Sequence, residues 1–136
     1  MIKILYICTG NSCRSAIAEA LTNHLGAGRF QAQSAGSQPV GFIHPKALET
    51  LTRHDIQIDG LYSKSWDIFE NKQFDLVITV CDSAASETCP VFSGDFKRVH
   101  WSIADPAAVT GSDQIINAAF EDTFNDIKDR IETAIF

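Results

Sequence analysis

The sequence predicts an α/β fold built on a doubly wound parallel sheet, and three observations point to it. Two apolar runs read as strands: IKILYI at residues 2–7, buried on both faces in the pattern of a parallel sheet, and FDLVITV at 74–80. Other stretches carry apolar residues at helical spacing. Strand-like and helix-like segments alternate along the chain, as they do when helices connect parallel strands.

Each element follows in order. Residues 2–7 form the first strand. Residues 14–25 form a helix whose stripe is Ile17, Ala20, Leu21, His24 and Leu25, with Gly26 as its stop. Residues 30–34 are a weaker second strand. Pro45 takes a first helical position, with Ala47, Leu48 and Leu51 on one face. Ser65 caps a short helix over 66–69. Residues 74–80 are the strongest strand, and 99–103 a fourth. Ser112 caps a long C-terminal helix with Ile116, Phe120, Phe124, Ile127 and Ile131 on one stripe.

The 136 residues suit one domain, 1–136, large enough for a single core. Eleven basic against seventeen acidic residues give a formal charge of −6, which argues against nucleic acid or an anionic membrane as partner. No run approaches the roughly 20 apolar residues of a membrane span, and MIKILYIC is too short for a secretion signal. A cytoplasmic monomer is expected, with its four cysteines reduced at rest.

The chemistry gathers in CTGNSCRS, residues 8–15, between the first strand and the first helix. A loop of small residues there turns successive N–H groups toward one point, and the helix N-terminus adds about half a positive charge. Thr9, Gly10, Asn11, Ser12, Cys13, Arg14 and Ser15 thus read as an oxyanion cradle. Arg14 supplies a planar fork for two oxygens. The same field favours thiolate at Cys8, and Ser15 can donate to it. Asn11 suits a left-handed backbone position and can pin the loop. The alternative is a tight turn around a buried cysteine.

CTGNSCRSAIAEA resembles the phosphate-binding loop of the low-molecular-weight tyrosine phosphatase superfamily, and SAG at 34–36 and ADPA at 104–107 are similar to further landmarks of that family. The resemblance implies a four-stranded parallel sheet flanked by helices, Rossmann-like and three-layered. It covers nearly the whole chain for the thioredoxin-coupled arsenate reductases of the superfamily. Two chemistries are implied: phosphomonoester hydrolysis and thiol-linked arsenate reduction.

A reductase needs a second thiol within reach of the first. Cys81 directly follows its strand, as Cys8 follows its own. If these strands are parallel neighbours, about 4.8 Å apart, the pair meets the Cα separations of roughly 4.4–6.8 Å that disulfides need. Cys89 lies beyond DSAASET, a segment with only Ala84 and Ala85 apolar and expected to move. In the reductases a third thiol takes over the first disulfide and presents it to thioredoxin. Cys8, Cys81 and Cys89 match those three cysteines, with Cys81–Cys89 one residue longer than in the best-known members. Cys13 is read as structural. A zinc site is disfavoured, because the Cys8/Cys13 and Cys81/Cys89 spacings do not match the usual close pairs.

Asp105, ahead of Pro106, is the candidate acid for the leaving oxygen. The resemblance implies aromatic residues after this motif in the tyrosine phosphatases; Ala107 and Ala108 stand there instead. That suits a small inorganic oxyanion, arsenate, with phosphate or sulfate as analogues. Glu19, Ser34 and Asn11 match a monovalent-cation site of some reductases, while Lys64 stands where an acid is expected. Its ammonium either fills the cation's place or is solvated. The four histidines, His24, His44, His54 and His100, are assigned surface or core roles. No metal or cofactor is expected. The leading expectation is arsenate reduction with weak phosphatase activity on the side. The alternatives are a phosphomonoester hydrolase and a non-catalytic oxyanion or redox sensor.

Overall fold

The computed structural model describes residues 1–81 and 95–135. Four strands form one parallel sheet: β1 (Ile2–Cys8), β2 (Phe30–Gly36), β3 (Leu76–Thr79) and β4 (Lys97–His100), in the order β2-β1-β3-β4. β1 is central, and its residues Ile4, Leu5, Tyr6 and Ile7 are fully buried, as a strand covered on both faces requires. Among the described residues, three helices flank the sheet: α1 (Arg14–Leu25), α2 (Pro45–Arg53) and α3 (Asp113–Ala134). The fold class expected from the sequence is the one found.

The strand order fixes where a ligand can bind. From β1 the chain runs to β2 on one side, while β3 lies on the other. The carboxyl ends of β1 and β3 therefore flank the point where the winding reverses, and their loops part to leave a crevice. Cys8 closes β1 at this point, and Cys81 follows β3 two residues beyond its end.

Local chemistry explains the helix boundaries. Ser112 caps α3 by accepting from the Ile115 amide at 3.3 Å, and Phe120, Phe124, Ile127 and Ile131 are buried. Pro45 opens α2, whose N-cap is His44. Ser65 caps the short 3-10 turn Trp66–Phe69 by accepting from the Asp67 amide at 3.1 Å.

Two expectations need correction. The fourth strand is Lys97–His100, not 99–103. It is an edge strand, exposed at Lys97 and Arg98, so charge rather than apolar pattern marks it. Past Trp101, whose amide still reaches the Thr79 carbonyl, the chain leaves the sheet, and the Ile103 carbonyl turns to Arg14. In α1, His24 is exposed and does not belong to the buried stripe; the buried set runs from Ser15 to Thr22. Cys89 and the expected moving segment between Cys81 and Cys89 lie outside the described residues. No helix among the described residues is long and apolar enough to cross a membrane.

Candidate active site

The β1–α1 loop is built from below by a buried polar network. Asn11 adopts the left-handed backbone (φ 46°) that its sequence position suggested. Its side-chain amide donates to Ser15 Oγ at 2.8 Å and Ser34 Oγ at 3.0 Å, and its carbonyl accepts from the Lys64 amide at 2.9 Å. Ser34 in turn donates to Glu19 at 2.6 Å. Gly36 explains the rest of the SAG motif. A Cβ there would sit 2.5 Å from the Thr9 carbonyl oxygen and 3.0 Å from the Asn11 nitrogen, so only glycine lets the loop pass this close to β2.

Two donors converge on Cys8. The Asn11 amide lies 3.2 Å from Sγ, and Ser15 Oγ lies 2.9 Å from it. Ser15 already accepts from Asn11, so its own hydrogen is free to point at the sulfur. The N-cap of α1 is Cys13, which makes no side-chain cap, so no side chain of the N-cap residue occupies the positive end of the helix. The Cys13 thiol itself is pushed up to about 12, first by burial and then by the charge of Asp105, and remains protonated at neutral pH.

Arg14 and Asp105 complete the pocket. Arg14 Nη1 donates to the Ile103 carbonyl at 2.9 Å, and Nη2 lies 3.7 Å from the Asp105 carboxylate. Asp105 Oδ1 accepts from the Ala107 amide at 3.0 Å, which holds it at the start of the 3-10 turn Pro106–Ala108. The pocket has a volume of about 280 Å³ and brings together Cys8, Gly10, Ser12, Cys13, Arg14 and Asp105.

Cys81 arrives from the neighbouring strand. The register pairs Ile7 with Thr79, and the Val80 amide bonds the Ile7 carbonyl at 2.9 Å, so Cys81 falls level with Thr9. Its Sγ lies 3.5 Å from Thr9 Oγ1. Cys8 and Cys81 are both free thiols and both 3% exposed.

Lys64 is buried, not solvated. Its Nζ lies 3.6 Å from Glu19 Oε1, donates to the Tyr62 carbonyl at 3.1 Å, and sits 4.4 Å above the Tyr62 ring. Burial pushes Glu19 up and Lys64 down, while the charge of each pulls the other back. This places an ammonium beneath the loop, against Glu19, one of the residues that the resemblance assigned to a bound cation.

Sequence reasoning missed Val40, Phe42, His44 and Ser63. Val40, Phe42 and His44 line the pocket with Cys8. His44 Nδ1 accepts from the Lys46 amide at 3.0 Å, and Ser63 Oγ donates to the Gly10 carbonyl at 3.1 Å. The position of His44 directly before Pro45 is the signal that could have found it, as an N-cap. Residues 37–44 belong to no helix or strand, so periodicity says nothing about them.

A cysteine held by a loop amide and a serine hydroxyl at the switch point of a parallel sheet, with an arginine and an aspartate in the same pocket, defines the class. The chain belongs to the low molecular weight phosphotyrosine protein phosphatase family, whose profile matches residues 3–135. Within it, the chain is similar to an arsenate reductase of Staphylococcus xylosus, 36% identical over 132 residues, covering 97% of this chain and 92% of that one. It is also similar to the structure of an arsenate reductase in the reduced state, with TM-score 0.74 and 27% identity over 99% of this chain and 97% of the other. A third likeness is to a thioredoxin-dependent arsenate reductase of Corynebacterium glutamicum, with TM-score 0.68 and 27% identity over 98% of this chain and 61% of that longer one.

Proposed function

We propose that this chain reduces arsenate to arsenite, with Cys8 as nucleophile and Cys81 as the source of the second electron. The observation that carries the reading is the placement of two free thiols at the carboxyl ends of neighbouring parallel strands. Cys8 lies under converging donors, and Cys81 lies one register step beyond it, beside Thr9. A hydrolase needs only the first.

The steps follow from the groups present. Thr9 to Ser15 and the Arg14 guanidinium hold the oxyanion; Arg14 turns from Asp105 to two anion oxygens, a bidentate grip stronger than its 3.7 Å contact. Cys8 thiolate attacks arsenic. An As–S bond forms and an As–O bond breaks, and the oxygen leaves as water with a proton from Asp105. Cys81 thiolate then attacks Cys8 Sγ. The S–S bond forms, the S–As bond breaks, and its electron pair stays on arsenic, which leaves as arsenite. Cys89 takes over the disulfide from Cys81 and presents it to thioredoxin, the reductant named for the Corynebacterium relative. The Lys64 ammonium supplies the positive charge beneath the loop, so turnover does not depend on potassium.

Because the cradle, nucleophile and acid suffice for phosphomonoester hydrolysis, weak phosphatase activity accompanies the main reaction. A cytoplasmic monomer fits this chemistry, since the resting thiols must be reduced. The direct test is arsenite formation with thioredoxin, its reductase and NADPH, set beside glutathione with glutaredoxin. Arsenite in the first mixture and little in the second is the expected result. Activity only with glutathione would replace the partner, and hydrolysis without arsenite in either mixture would favour the phosphatase reading.

A further inference from the structure

We infer that the pocket also accepts organic arsonates, R–AsO₃²⁻, with the substituent R lying against an apolar wall formed by Val40 and Phe42. This inference rests on the arsenate-reductase reading above. Val40 is 53% and Phe42 59% exposed, and both line the pocket that holds Cys8. Large apolar side chains exposed together beside a reactive centre mark a binding surface rather than a core.

The wall is fixed to the loop itself. The Gln38 amide bonds the Thr9 carbonyl at 2.9 Å, the Val40 amide the Gly10 carbonyl at 3.1 Å, and the His44 amide the Ser12 carbonyl at 3.1 Å. Ser63 ties the two segments from outside, donating to the Gly10 carbonyl and accepting from the Gly41 amide at 3.2 Å. The backbone at Val40, and on either side of Phe42 at Gly41 and His44, is therefore tied to the loop that holds Cys8.

The volume also exceeds what an inorganic anion needs. About 280 Å³ is some nine water volumes of about 30 Å³ each, and it approaches the small-molecule range that begins near 300 Å³. A five-atom oxyanion seated on the loop amides leaves room toward Phe42. The aryl group of a phenylarsonate fits that room and meets an aromatic edge or face.

The chemistry balances without a new reagent. Cys8 thiolate attacks arsenic, and one oxygen leaves as water, with both protons supplied by Asp105 and solvent. Cys81 thiolate displaces arsenic from Cys8 Sγ; arsenic keeps the electron pair and the As–C bond and departs as R–As(OH)₂. The two protein thiols are the reductant in the first turnover, and a dithiol protein restores them.

Two measurements test this. The first compares kcat/KM for phenylarsonate and methylarsonate in the native protein and in Phe42→Ala, with arsenate run beside them. The native protein should prefer the phenyl compound by about tenfold, the scale of one aromatic contact with partial apolar burial, and the preference should fall to about twofold in Phe42→Ala. The second needs no variant: phenylphosphonate should inhibit arsenate turnover at concentrations about tenfold lower than methylphosphonate does. If arsenate is reduced but neither arsonate is, or if phenyl and methyl compounds behave alike, the wall is not a substrate subsite. If arsenate itself is not reduced, the underlying reading falls instead.

Discussion

Two polar networks in this molecule contain similar ion pairs and do opposite work. On the surface between α2 and α3, Arg53 Nη2 lies 2.9 Å from Glu121, His54 Nε2 lies 2.8 Å from it, and Glu49 stands 3.6 Å from Arg53. Beneath the β1–α1 loop, Lys64 lies 3.6 Å from Glu19, farther than either Arg53 or His54 lies from Glu121. The closer contacts are the weaker ones. Arg53 and Glu121 side chains are 42% and 31% exposed, so water and salt screen them, whereas Lys64 and Glu19 are 4% and 10% exposed. Dielectric, not distance, decides which pair the structure depends on. The buried pair also continues through Ser34 and Asn11 to Ser15 and the Cys8 sulfur, so its geometry is passed to the nucleophile.

The largest effects are therefore expected where the buried network ends. Cys8→Ser should reduce both arsenate turnover and phosphatase activity to background, because a serine hydroxyl in this cradle is far less ionised than a thiol. Arsenite release and aryl phosphate hydrolysis, assayed on one preparation, check this; either activity surviving would remove Cys8 as nucleophile. Cys81→Ser should separate the two, keeping hydrolysis and losing arsenate turnover, since only the electron source is gone. Continued turnover with thioredoxin would send the relay through another thiol.

Lys64→Ala probes the network's root. It leaves the Glu19 carboxylate buried without its cation, a loss of about 3 kcal/mol by denaturant unfolding. The sign with pH follows from Glu19. Burial raises its folded pKa, so the favourable protonated form is retained at low pH and the penalty grows as pH rises through that raised value. The deficit should be larger at pH 8 than at pH 5. A deficit that shrinks with rising pH would mean Glu19 finds another cation.

Glu121→Gln is the surface counterpart and should cost under about 1 kcal/mol. Burial alone would raise the Glu121 pKa, but the His54 and Arg53 hydrogen bonds outweigh it and bring it below the usual carboxylate value. A depressed pKa gives stability that is present above the ordinary value near 4.3 and disappears as pH falls through the folded one. The melting difference between native and variant should thus be small at pH 7 and shrink further as pH falls below the ordinary carboxylate value. A loss as large as that of Lys64→Ala would erase the contrast between the two networks.

Most of the fold was legible because β1 is a mostly apolar run and α2 and α3 carry apolar residues at helical spacing, and the loop was legible because glycine, asparagine, serine and arginine each have a local reason to be there. Asn11 and Ser15 behave as their chemistry suggested. The edge strand β4 was misplaced because Lys97 and Arg98 hide it, and an edge strand has no second neighbour to impose an apolar pattern. His24 was misread because its spacing fits the stripe of α1 although the helix turns it to solvent. The burial of Lys64 was open in the sequence, since its partner Glu19 lies far away in the chain and only the fold brings them together. Val40 and Phe42 left no signal because a segment outside helix and strand is placed by backbone bonds to the loop, which no side-chain pattern records.

The thiol pair is tested most directly by a single turnover of the Cys89→Ser protein, fully reduced and mixed with arsenate in the absence of any external reductant. The expected outcome is one arsenite released and two thiols lost per chain, with peptide mass mapping showing a Cys8–Cys81 disulfide. Arsenite formed without that disulfide, or the disulfide formed between Cys8 and Cys13, would contradict the role assigned to Cys81.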